Sequence, residues 1–166
     1  MKQAAGSENT KMMKWEQMLD SFEAGQRRKA LQELWGDVQR GEIQLPAAGT
    51  DINLHGHTFF SYNAYGYSPS KFAWLARKAG LGMAGIVDFD VLDGLEEFVA
   101  AGDLLNLKGF VGLETRGFVP EFAELEMTSP GEPGITYHMG VGFPAAPAAE
   151  KDRKFLQQLR QMAQQR

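Results

Sequence analysis

The sequence predicts an α/β fold, a parallel sheet with crossover helices, preceded by an N-terminal helical hairpin. Three observations predict it. Apolar residues recur at helical spacing up to residue 38, short apolar runs alternate with helical segments from residue 51 onward, and Gly or Pro punctuates each change of pattern. In the first part, Trp15, Met18, Leu19 and Phe22 lie on one helical face, and Ala30, Leu31, Leu34, Trp35 and Val38 on a second, ending near Gly41. Both tryptophans sit on the apolar stripe and read as core anchors. Residues 1–10 are small and polar and are expected to be disordered or a tag, residues 11–48 form the hairpin and linker, and Pro46 to Gly49 is the linker itself.

The second part reads as βαβαβ. A strand at 51–54 is followed by a Gly/Tyr-rich loop, then a helix from Ser68-Pro69 to Gly80 whose cap and first-turn proline mark its start. A buried strand at 83–87, a helix from 93 to about 105 and a strand at 110–113 follow. After an acidic stretch and a Pro130-to-Gly134 turn, a fourth strand is expected at 135–141, and residues 144–166 form a linker and a C-terminal amphipathic helix.

Composition narrows the function classes. With 43% hydrophobic and 11% aromatic residues, the 166-residue chain can bury a core, which excludes wholesale disorder. There is no cysteine, so disulfide scaffolds, thiolate zinc sites and cysteine nucleophiles are excluded, and any metal must be held by His, Asp, Glu or water. A net charge of -4 without a Lys/Arg block argues against stable duplex nucleic acid binding. No stretch approaches the roughly 20 apolar residues of a membrane span, and the first residues lack the apolar core of a signal peptide, so the expected location is the cytoplasm.

The candidate chemistry sits at strand ends. His55 and His57 are separated by one residue after the first strand, so in extended chain both imidazoles point to one side and can converge on a metal ion. Asp88 and Asp90 repeat that spacing after the second strand, Glu114 ends the third, and His138 lies in the fourth. Each also has a structural use. Asp88 and Asp90 suit a turn, Asp93 suits the N-cap of the next helix, Glu114 beside Arg116 suits a surface charge, and His138 suits a core position.

The run Asn53-Leu54-His55-Gly56-His57-Thr58-Phe59-Phe60-Ser61 resembles the first motif of the polymerase and histidinol phosphatase (PHP) superfamily. Gly85 to Asp90 is similar to its second motif, Gly112-Leu113-Glu114 to its third, and Ile135 to Gly142 to the strand carrying its next histidine. The resemblance covers residues 51–143 and implies the N-terminal half of a distorted (β/α) barrel of the PHP type, with a metal cluster at the C-terminal rim that hydrolyses phosphoesters. Position by position it implies His55 and His57 on one metal, Glu114 bridging two and His138 on the second. Beside that assignment, Glu114 and Asp88 are the expected catalytic carboxylates, and Arg116 and Tyr62 the expected substrate contacts. One or two ions of Mn, Zn or Fe suit imidazole and carboxylate donors.

The departures matter equally. Tyr62 stands where the family usually has an aspartate, Phe89 replaces the histidine of the second motif, and no histidine follows His138. With about 50 residues in the helical prefix the chain is too short for a complete barrel, which takes about 250. The leading expectation is therefore a metal-dependent phosphoesterase acting on a phosphorylated small molecule or nucleotide, as a fragment of a longer enzyme. The alternative is a non-catalytic PHP-like binding or oligomerisation module with a degenerate metal site, and a barrel hydrolase of C–N bonds ranks third. An open sheet edge predicts a homo-oligomer or a missing C-terminal half.

Overall fold

The computed structural model describes residues 11–61 and 66–165. These residues form a mixed α/β structure with a four-stranded sheet of order β1-β2-β3-β4. A helix over 11–18 (α1) and α2 (Ala24–Gln39) form the N-terminal hairpin. There follow β1 (Ile52–Gly56), α3 (Pro69–Lys78), β2 (Met83–Phe89), α4 (Leu95–Leu105), β3 (Lys108–Phe118), β4 (Ile135–Val141) and α5 (Glu150–Ala163).

Strands β1, β2 and β3 are parallel neighbours in chain order. Ala84, Ile86 and Val111 alternate along β2 and β3 and share one core with Ala73, Trp74, Phe98, Ala101 and Leu105 of α3 and α4. Both crossover helices therefore cover the same face. Strands added in one direction with helices on one side is the winding of a barrel segment, as distinct from a doubly wound sheet. Leu19, Ala30, Leu31 and Leu34 of the hairpin join this core from outside.

Several elements differ from expectation. β1 extends to Gly56, so His55 lies inside the strand, and β3 runs to Phe118. β4 pairs antiparallel with β3, joined by a connection whose described structure is a short 3-10 turn at Pro120–Phe122. An antiparallel return needs no crossover helix, which is why the Gly/Pro-rich stretch suffices. Helix α4 is capped at Gly94 without a side-chain bond, because Asp93 instead pairs with Arg160 of α5 at 2.9 Å. Phe22 is 87% exposed and stacks on Phe59 with ring centroids 5.6 Å apart, so this apolar residue serves the loop after β1 and not the core.

Ser68 caps α3 as expected, its hydroxyl accepting from the Lys71 N–H at 3.0 Å. No helix among the described residues is long and apolar enough to cross a membrane.

Candidate metal centre

The parallel register decides which side chains meet. Phe89 of β2 pairs with Glu114 of β3, and both point to the face opposite α3 and α4. On β1 a register irregularity between Asn53 and Gly56 precedes the site, and Gly56 turns toward the helices, where a Cβ would come within 2.2 Å of the Phe72 ring. His55 and His57 flank it and face the other way. His55 Nε2 lies 3.2 Å and His57 Nε2 3.5 Å from the same Glu114 carboxylate oxygen, and the three donor atoms fall within 4.8 Å of one another. Substituting Gly56 with alanine is expected to cost about 1–3 kcal/mol through overpacking against Phe72, and to splay the two histidines. Thermal unfolding with metal titration of the variant measures both effects.

The surroundings orient this set. The Ser61 hydroxyl accepts the Phe89 N–H at 2.8 Å and lies 3.0 Å from His57 Nδ1. With Nδ1–H donating to Ser61, the Nε2 lone pair of His57 is left facing Glu114. Lone pairs of imidazole and carboxylate turned toward one point repel unless a proton or cation lies between them, so the donor set fits a divalent ion. The Phe89 ring stacks on His57 at 4.6 Å and 17°, and this burial lowers the His57 pKa, with Glu114 opposing and His55 adding to the effect. A neutral imidazole is the ligand form.

Asp88 and Asp90 serve the frame. Asp88 is 2% exposed on the helix side of β2, where its carboxylate accepts the Thr58 N–H at 2.6 Å and the Thr58 hydroxyl at 2.7 Å. Burial raises its pKa against those two hydrogen bonds. Asp90, in the left-handed region at φ 61, donates its N–H to the Glu114 carbonyl at 2.8 Å and accepts from the Thr115 hydroxyl at 2.7 Å. The expected catalytic position of Asp88 is thus on the opposite side of the sheet from His55, His57 and Glu114, because strand alternation places it with Ile86 and not with Phe89.

His138 is not brought into the cluster either. It is paired with Thr115, so it shares that residue's face and not that of Glu114, and its ring lies over Gly117, 3.7 Å from where a Cβ would stand. The antiparallel turn of β4 sets this register. Arg116 does share the face of Glu114, where it forms an ion pair with Glu132. Tyr62 lies outside the described residues. Thr58, Ser61 and Glu132 carry roles that sequence reasoning did not assign. The spacing of Ser61 four residues after His57 was the available clue for one of them.

Fold and site together define a barrel-like α/β segment bearing a three-residue set able to hold a divalent cation. No family model matches the chain, and no curated protein matches it. Among solved structures it is similar to a proposed metal-dependent phosphoesterase from Bifidobacterium adolescentis, at 34% identity over 45% of this chain and with a TM-score of 0.36. The match spans 24% of that structure, so this chain corresponds to about a quarter of it.

Proposed function

We propose that the chain is part of a metal-dependent phosphoesterase, with one divalent ion held by His55, His57 and Glu114. The observation that carries this reading is the convergence of two imidazole Nε2 atoms on one buried carboxylate oxygen where the parallel β2–β3 pairing ends. Its PHP-like motif order supports the phosphoester assignment. When bound, a divalent ion supplies Lewis acidity at a phosphoryl oxygen and charge compensation for the leaving group.

The chain's own residues prepare that chemistry. Ser61 fixes the His57 ring, Phe89 excludes water from one side of it, and burial keeps it neutral. Thr58, gripped by buried Asp88, holds the loop that joins them. In this reading Asp88 positions and does not touch substrate, and Arg116 offers its guanidinium to the anionic group. Three protein ligands leave coordination positions for solvent and substrate. The exposed apolar residues Ile52, Phe118, Met139 and Val141 support self-association or cover by further chain.

Turnover of an aryl phosphomonoester, assayed with Mn²⁺ on the longest form that expresses, is expected to require metal and to fall at least about 100-fold in Glu114→Gln. Finding no bound metal and no turnover would sink the proposal. Bound metal without turnover would select the second reading, a non-catalytic metal-binding module. That reading draws on the Phe89 ring seated against His57 at a position where the resembled motif has a histidine.

A further inference from the structure

The connection between β3 and β4 folds a carboxylate back beside the metal-ligand set. Glu114 and Arg116 are two residues apart on β3, on one face and about 6.7 Å apart along the strand. The Arg116 guanidinium pairs with one Glu132 oxygen, the Ser129 hydroxyl donates to the other, and the Tyr137 hydroxyl lies 3.5 Å from that same oxygen. Tyr137 faces the same side of the sheet, since it pairs with Arg116. The Phe89 ring links the two groups, with its centroid 4.6 Å from that of His57 and 6.0 Å from that of Tyr137.

Three features distinguish this arrangement from an ordinary surface ion pair. One guanidinium and two hydroxyls already converge on an oxyanion, a donor set equally suited to a phosphoryl group. Arg116 Nε is buried and has no hydrogen-bond partner among the described residues, so the guanidinium keeps an unused donor. Glu132 is carried on a turn outside the strands, between Gly131 at φ 77 and Gly134 at φ 73, so the carboxylate reaches Arg116 from a loop and not from the sheet itself. The Ser129 hydrogen bond, with Arg116 nearby, lowers the Glu132 pKa and keeps it an anion. The Arg116–Glu132 pair is also about one-third exposed on each side, so water screens it and a competing anion can displace it.

We propose that Arg116, Ser129 and Tyr137 form an oxyanion cradle for the phosphoryl group of the substrate, and that the Glu132 carboxylate is an internal plug which the substrate displaces. The inference rests on the phosphoesterase reading for the identity of its anion. The cradle itself is testable without metal.

Inorganic phosphate titrated into the chelator-stripped chain at pH 7, followed calorimetrically, is the test. Glu132→Gln and Glu132→Ala are expected to bind phosphate about tenfold or more tightly than the unmodified chain, as an internal competitor is removed from charge-assisted donors. Adding Arg116→Ala to either variant is expected to abolish the gain. Unchanged phosphate affinity in both Glu132 variants, or a gain that survives loss of Arg116, overturns the proposal. Should Glu132→Ala disturb the turn, as thermal unfolding would reveal, Glu132→Gln, which keeps an acceptor for Ser129, decides. Metal uptake of the same variants, measured separately, reports on His55, His57 and Glu114, so failure of the metal site and failure of the cradle are read independently.

Discussion

A His55→Ala/His57→Ala double variant is expected to lose the metal that the unmodified chain retains, about one equivalent when purified without chelator. Each substitution removes one of three donors, and the remaining carboxylate is an ordinary monodentate site. Loss of an outer-sphere partner alone costs about 10–100-fold in metal affinity, which is the effect expected of Ser61→Ala, and loss of both imidazoles must exceed it. Elemental mass spectrometry of the two variants orders these effects. Equal metal content in the double variant and the unmodified chain would exclude the site.

The same site predicts an acid limit. Burial holds the His57 pKa below its ordinary value of 6.5, with the Glu114 charge acting in the opposite direction. A histidine whose folded pKa is depressed contributes stability that is present above pH 6.5 and is lost as pH falls through the folded value. Metal loading carries the same sign, since protons compete for the imidazole. Metal content and the chelator-treated melting temperature should both fall over that window, and His57→Gln should remove its part of the stability slope.

Glu97→Ala is expected to destabilise the fold by about 3–5 kcal/mol, the range for removing one partner of a buried ion pair. Arg27 of α2 has a side chain only 4% exposed and reaches across to α4. Its Nε lies 2.8 Å from Glu97 and one terminal nitrogen 2.7 Å from the Ser21 carbonyl. Ser70 at the start of α3 donates to the same carboxylate through its hydroxyl at 2.6 Å and its N–H at 3.1 Å. Removing the carboxylate strands a guanidinium and two further donors. Replacing Arg27 and Glu97 together with leucine should recover part of the loss, because no buried charge is then left, while the two Ser70 donors still lack their acceptor.

Burial alone would raise the Glu97 pKa, yet the hydrogen bonds from Arg27 and Ser70 outweigh it and the net shift is downward. This contribution is therefore present above pH 4.5 and lost as pH falls through the lowered value. The guanidinium also lies 5.2 Å from the centre of the Phe59 ring, on the loop between His57 and Ser61. Glu97→Ala should accordingly weaken metal binding as well as stability. Denaturant unfolding decides the first effect, and a loss under about 1 kcal/mol would mean that the pair is solvated as surface pairs are.

Much of this was legible in the residues. The Ser68-Pro69 start of α3, the short buried apolar run of β2 and the boundaries of β4 follow from local sequence, because capping, fixed proline φ and strand patterning act over a few residues. The His55-Gly56-His57 pair was legible for the same reason, and Gly56 is required there only because Phe72 packs against its open side. The fate of Asp88 was not legible. Its i, i+2 spacing with Asp90 looks like that of the histidines, but one face of β2 is covered by α3 and α4 and the other is not.

The sequence by itself determined the βαβαβ order, the absence of thiolate chemistry and the two imidazoles on one side of β1. Tertiary structure alone decided that Glu114 joins them while His138 does not, that Asp88 holds a loop, and that Glu132 closes onto Arg116. The physical reason is register. Which residues of different strands stand opposite one another, and whether a strand returns parallel or antiparallel, depends on pairing across tens of residues, and a single step along a strand moves a side chain to the other face.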